Sequence, residues 1–359
     1  MFGTYEARAY PRLTVIGGGL RTSGLSVEEC NEPVGISLAE RGEALRKPWR
    51  LVGLGFRLVG AWLRLRRRAR SIPPPDIVVV GHLGIADVPL ARRLWPTATI
   101  VLDHLFPVEE VSANRGLGAR SLRRLVARLD RATVGAADVV VVDTDENLAL
   151  LPEAAQSRSV VVPVGATDEW FQPAPEGGSG PLRVVVFGLH GAQEGAPVVG
   201  AAMERCADEG IEFTMIARAE DRGVTASASA ETAVTWLDWV EAEELPRIVA
   251  THDVALGIFG CKDRAKRVIP AKVFQAAAAG CVILTSRTDP QVRTLGDAAE
   301  YVTCGDAEAL SDALIALARD PSRVIELRRR SHELAAGHFT PAAVVQPLVR
   351  ALLQIDAGG

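Results

Sequence analysis

Four short, almost wholly apolar runs open the question of fold: "DIVVVGHLG" (76–84), "ATIVLDHLF" (98–106), "ADVVVVDTD" (137–145) and "RSVVVPVG" (158–165). Unbroken valine-rich runs of this length suit strands buried on both faces, which is the condition of a parallel sheet covered by helices. The stretches between them carry helical spacing, "DVPLARRL" (87–94) and "RSLRRLVARLDRATV" (120–134). Strands that alternate with helices predict a doubly wound α/β unit.

The alternation stops at "QPAPEGGSGP" (172–181), a Pro-, Gly- and Ser-rich stretch without periodicity that reads as a linker. It then restarts. "LRVVVFGLHG" (182–191) is a strand and loop, and "APVVGAAMERCADEG" (196–210) is a helix closed by Gly210. "EFTMIAR", "AVTWLDWV", "HDVALGIFG" and "CVILTS" follow as strands. A length of 359 residues accommodates two domains of ordinary size. The expected organisation is a Rossmann-like domain over 1–172, a linker over 173–181, a second Rossmann-like domain over 182–340, and a C-terminal helix over 341–359 that packs back on the first domain. In such domains ligands sit beyond the carboxyl ends of the strands.

Composition excludes several classes. The net charge of −4 carries no basic excess, so nucleic acid is not an expected partner. Five scattered cysteines, none in a CxxC pair, fit reduced thiols in a cytoplasmic protein and no zinc site. The start "MFGTYEARAYPRL" has charges where a signal peptide would be apolar, and no apolar run reaches the roughly 18 residues of a membrane span.

The richest segment is "KRVIPAKVFQAAAAGCVILTS" (266–286). Pro270 suits a helix start, the alanines continue the helix, and Gly280 ends it. Lys266, Arg267 and Lys272 then crowd full charges at an N-terminus whose backbone amides are already partly positive. That is an anion site, most naturally for a diphosphate. The competing reading is an ordinary helix start with solvated lysines.

This segment resembles the donor-binding stretch of retaining GT-B fold glycosyltransferases, the family-four-like, group 1 branch. "DVALGIFG" before it, "VVFGLHGAQEGAPVVGAAM" and "VVVPVGATDEWFQP" are similar to other parts of that family in order and spacing. The resemblance implies two Rossmann-like domains facing across a cleft. The second would hold a nucleoside-diphosphate sugar, and the first a glycan, glycolipid or lipid-linked acceptor. It implies no metal and no cofactor beyond the donor. On the donor side it points to Gly188, His190, Glu194, Gly195, Gly260, Lys266, Arg267, Lys272 and Gln275. On the acceptor side "VLDHLFPVEEVSANR" (101–115) points to Asp103, His104, Glu110 and Arg115, for positioning and charge stabilisation. Two departures stand out. Gln275 replaces the glutamate that many relatives use on the donor ribose, and Leu189 and Glu194 stand where they carry an arginine and a lysine. A sugar-nucleotide epimerase on the same fold, or a binding protein that does not transfer, are the alternatives.

Three further motifs have two readings each. "VIGGGLRTSG" (15–24) lacks the third glycine of a dinucleotide fingerprint, and its apolar spacing favours a helix stopped at Gly24. "DTD" (143–145) resembles a metal-binding motif, but Asp143 with Glu146 reads as a capping box. Residues 46–70 hold nine Lys or Arg and no acid, with Trp49, Phe56 and Trp62 interleaved. This segment suits an amphipathic helix on an anionic membrane surface at the cytoplasmic face, or a solvated helix covering the sheet.

Overall fold

The computed structural model describes residues 1–5, 11–34, 48–81, 84, 87–105, 120–173, 180–188, 194–217, 234–238 and 240–358, without the side chains of 48–52, 54, 120–123 and 356–358. The chain divides into two compact units, Met1–Pro163 with Val345–Gly359, and Val164–Val344.

The first unit is a parallel six-stranded sheet of order β2-β1-β3-β4-β5-β6. Its strands are β1 (Phe2–Gly3), β2 (Cys30–Asn31), β3 (Ile77–Val80), β4 (Thr99–Asp103), β5 (Val139–Val142) and β6 (Ser159–Val161). Its helices are α1 (Pro11–Thr22), α2 (Pro48–Ala69), α3 (Asp87–Leu94), α4 (Arg120–Ala136), α5 (Asp145–Leu148) and α6 (Glu153–Gln156). All four valines of β5 are buried, as a strand covered on both faces requires. Leu65 and Ala69 of α2, Val88 and Ala91 of α3, and Val134 of α4 share one core with Val78, Val80, Ile100 and Val140. These three helices therefore cover the same face of the sheet. Residues 15–22 of the glycine-bearing segment are helical within α1, and Gly24 follows at φ 89°. That is a left-handed stop and no cofactor loop.

The second unit is again parallel and six-stranded, of order β12-β11-β10-β7-β8-β9. Its first half holds β7 (Leu182–Phe187), α7 (Ala196–Arg205), β8 (Ile211–Ile216), β9 (Val234–Leu237), α8 (Leu245–Ala250) and β10 (Val254–Leu256). Its second half holds α9 (Asp263–Arg267), α10 (Ala271–Ala278), β11 (Val282–Ser286), α11 (Asp289–Leu295), β12 (Ala299–Val302), α12 (Ala307–Arg319), α13 (Pro321–His338) and α14 (Pro341–Val344). The period of two along β7 divides its side chains between two cores. Leu182, Val184 and Val186 join one with α7 and α12, whereas Val185 and Phe187 join the other with α10.

The unit boundary differs from the linker at 173–181, of which 174–179 lie outside the described residues. Residues 164–172, placed with the first domain on sequence grounds, pack in the second unit. Trp170 stacks on Phe187 at 5.7 Å between ring centroids, and Ala166 N–H donates to the Phe339 carbonyl. An aromatic side chain buried in a core overrides the apparent end of a strand pattern. The terminal helix α15 (Gln346–Gly358) belongs to the first unit, where Leu348 and Leu352 are buried.

The expectation that all five cysteines are reduced thiols is overturned. Cys261 and Cys304 form a disulfide, with Cα atoms 5.4 Å apart. They are 43 positions apart in sequence, so no local spacing announces the pair. Sheet order brings them together. Strands β10 and β12 flank β11, and the turns beyond their carboxyl ends meet where Gly305 N–H donates to the Phe259 carbonyl. Cys30, Cys206 and Cys281 are free and buried.

Candidate functional site

Of the residues expected on the donor side, Gly188, Glu194, Gly195, Gly260, Lys272 and Gln275 lie at the carboxyl edge of the second sheet. Strand β7 runs into Gly188, whose φ of 96° is open to glycine at no steric cost. A Cβ on Gly188 would lie 3.5 Å from Cδ of Lys272, so the lysine chain passes over this glycine. Helix α7 begins at Gly195, at φ 89°. A Cβ there would stand 2.7 Å from the Phe259 carbonyl carbon and 2.8 Å from the Gly260 nitrogen. Phe259 N–H donates to the Glu194 carbonyl at 2.9 Å, so the turns after β7 and β10 touch backbone to backbone. Only glycine permits that approach.

Lys272 sits in the first turn of α10, half-buried. Burial lowers its pKa to about 8, and the nearby Glu194 carboxylate offsets part of that shift. Gln275 follows one turn later on the same side of the helix, also half-buried.

Lys266 and Arg267 are placed otherwise than expected. They do not open the helix of Lys272. They end the short helix α9, with Val268–Pro270 extended between the two. Basic side chains in a last turn favour the negative end of a helix, which accounts for their position. Lys266 is exposed and Arg267 half-buried. Lys272 is thus the cation that the structure sets against Gly188. His190 lies outside the described residues.

Beneath the turn 257–260 runs a buried hydrogen-bond network that sequence reading missed. Thr285 Oγ1 donates to Gln291 Oε1 at 2.6 Å and accepts from Ile258 N–H at 3.2 Å. Ser286 Oγ donates to the Ile258 carbonyl at 2.7 Å, and Gln291 Nε2 to the Ser286 carbonyl at 3.0 Å. Thr285, Ser286 and Gln291 have no exposed surface. A satisfied buried network of this kind makes the turn rigid. Its only sequence sign is a polar pair ending an apolar strand.

In the first unit, Asp103 and His104 stand together at the carboxyl end of β4, each committed to a buried partner. Asp103 Oδ1 accepts from Arg12 Nε at 2.8 Å, with side-chain exposures of 1% and 4%. His104 Nε2 lies 3.1 Å from Asp130 Oδ1. Among the described residues, Arg12 Nη1 and Nη2 and Asp103 Oδ2 are buried without a hydrogen-bond partner. Burial raises the carboxyl pKa of Asp143 above its usual value, against the opposing pull of Arg12 and the bond from Asn147 Nδ2 at 2.7 Å. Glu110 and Arg115 lie outside the described residues.

The capping box at 143–146 is corrected. Thr144 is the N-cap of α5 and accepts from Asn147 N–H, while Asp143 accepts from the Asn147 side chain instead. Among the described residues no three His, Cys, Asp or Glu side chains gather as metal ligands. Arg12, Asn147 and Asp87 complete this edge and escaped sequence reading. Asp87 accepts from Thr4 N–H and from Trp62 Nε1. An aspartate in a first turn looks like surface capping until the sheet order is known.

Two cavities lie away from these edges. One of about 440 Å³ is lined by Arg183, Phe213 and His252, and one of about 450 Å³ by Met1, Ile77, Trp95 and Leu352. Both meet the sheets near the amino ends of their strands.

Residues 201–350 match the family model described as glycosyl transferase-like. No curated protein matches the chain. Among solved structures it is similar to sucrose-phosphate synthase from Thermosynechococcus elongatus, at 13% identity and a TM-score of 0.71 over 100% of this chain and 96% of that one. A glycosyltransferase from Rickettsia africae shares 10% identity and a TM-score of 0.68 over 100% and 98%. Anabaena HepE, in complex with UDP, shares 11% identity and a TM-score of 0.65 over 98% of each chain. At such identities the likeness is one of fold.

Proposed function

Because residues 201–350 match the glycosyl transferase-like family model and the chain has the GT-B fold, we propose that it moves a sugar from a nucleoside-diphosphate donor to a glycan, glycolipid or lipid-linked acceptor, with retention and without a metal. The observation that carries the reading is Lys272 lying over Gly188, beside the backbone contact of Gly195 with Gly260. In this reading the amides at the start of α7 and the Lys272 ammonium hold the diphosphate. They stabilise the charge that develops as the sugar leaves. Gln275 hydrogen-bonds donor hydroxyls, as a neutral amide can. Lys266 and Arg267 supply a longer-range positive field. Asp103 and His104 orient the acceptor side, with Arg12 and Asp130 holding them in place. The work would be done at the cytoplasmic face of a membrane.

The acid beside Lys272 favours a second reading, a protein that binds a nucleotide sugar and does not transfer it, because Glu194 competes with phosphate for the ammonium. Incubation with UDP-, GDP- and dTDP-sugars separates the two. UDP-sugars come first, since the HepE structure contains UDP. Slow donor hydrolysis that survives EDTA and releases the retained anomer is the expected result. Binding without turnover across all donors and acceptors would establish the second reading. Interconversion of free nucleotide sugars would mark an epimerase.

A pH dependence follows from Lys272. Only its charged form attracts a diphosphate, and its pKa in the empty site is about 8. Nucleotide-sugar affinity is therefore expected to be level below pH 8. Above it, affinity should fall about tenfold per pH unit, because binding must then take up a proton. Stability runs the opposite way. Between pH 8 and the unfolded value of 10.5 the unfolded chain holds more protons at this lysine, so this group's contribution to stability rises with pH. Calorimetric titrations at several pH values check the first trend, and a flat affinity to pH 9 would remove Lys272 from the diphosphate.

A further inference from the structure

We propose that helices α2 and α4 of the first unit together form a face that docks on an anionic phospholipid surface. The observation is what they leave uncovered. Phe56, Val59 and Leu63 of α2 are 75%, 52% and 53% exposed, and Leu125 and Leu129 of α4 are 51% and 50% exposed. Phe56, Val59 and Leu63 follow i, i+3, i+7 spacing, so they form one stripe. Ala61, Leu65 and Ala69 point to the opposite side, into the core. Leu125 and Leu129 form the matching i, i+4 pair, opposite the buried Ala127, Asp130 and Val134. Both helices lie on the same face of the sheet, with α3 between them in sheet order.

Charge selects the occupant. Arg57, Arg66, Arg67 and Arg70 are exposed beside the first stripe, and Arg124 and Arg128 beside the second. Helix α2 contains no acid, and Asp130, the one acid of α4, is buried against His104. Apolar side chains at the crest, with arginines on the flanks, match the boundary between acyl chains and anionic headgroups. A second copy of this face would bring like charges together in a two-fold contact. A nucleic acid would leave the apolar crest wet. Among the described residues no helix is long and apolar enough to cross a membrane, so the helices would lie in its plane.

The test uses the full chain and vesicles of phosphatidylcholine with or without phosphatidylglycerol. The chain should sediment with the anionic vesicles only, and less so as salt rises. Arg57, Arg66, Arg67 and Arg70 changed together to glutamine should lower partitioning at least about a hundredfold, since each cation near an anionic surface adds to the attraction. Arg64 and Arg68 are left intact because they pair with Glu32. Leu125→Gln with Leu129→Gln should also lower partitioning at least tenfold. These positions are exposed, and unchanged circular dichroism would show that the fold is kept.

Wild-type chain that stays in the supernatant with anionic vesicles would overturn the proposal. So would α4 variants that bind like wild type, because the face would then not include α4. Dimerisation abolished by the same variants, with no vesicle binding, would assign the face to a second copy instead.

Discussion

Arg12→Met is expected to cost the first unit about 3–5 kcal/mol of stability, the usual penalty for leaving one member of a buried ion pair behind. Arg12 and Asp103 are both nearly inaccessible. The guanidinium also pulls down the pKa of Asp143, whose carboxyl is already pushed up by burial. Methionine keeps most of the side-chain volume, so the loss would report on charge and not on a cavity. The double variant Arg12→Met with Asp103→Asn should regain much of the loss, because the second change removes the orphaned charge. Urea unfolding followed by circular dichroism gives both numbers, read from the transition of this unit, since two units need not unfold in one step. A single variant within about 1 kcal/mol of wild type would mean that the pair is not what holds this edge.

The second large effect is on binding. Lys272→Ala should weaken nucleotide-sugar affinity about 10- to 150-fold, which corresponds to the 1.5–3 kcal/mol of a hydrogen bond to a charged group. Lys272→Arg should recover little, because the chain must pass over Gly188 at van der Waals distance. Gln275→Ala should cost less, since it removes a neutral partner. Gly195→Ala approaches the same site from the backbone. Its φ of 89° disfavours a side chain, and the new Cβ would press on Phe259 and Gly260, whose backbone has no room to yield. That variant should lose donor binding with Lys272 still present. Full affinity in both Lys272→Ala and Gly195→Ala would put the diphosphate elsewhere.

The α/β class, the restart of the pattern near residue 182 and the positions of β3–β11 were legible in the chain itself, whereas β2 and β12 were not. A strand buried on both faces must be apolar throughout, and runs such as Val139–Val142 show it without reference to any neighbour. Helix ends were legible for the same reason, since Gly24 and Gly280 answer to a local backbone conformation. Lys272 could be singled out by its charge near a helix start, and Gly188 and Gly195 by the family resemblance. The partners of those residues were a different matter. The ion pair of Arg12 with Asp103 spans 91 positions, the disulfide spans 43, and Trp170 packs across a boundary that composition alone places elsewhere. Such contacts depend on which strands lie side by side. The order β12-β11-β10-β7-β8-β9 is a property of the folded sheet that no local pattern encodes. The separation of Lys266 and Arg267 from the helix of Lys272 was likewise decided in three dimensions. There the extended Val268–Pro270 lets Ile269 reach the core and ends one helix before the next begins.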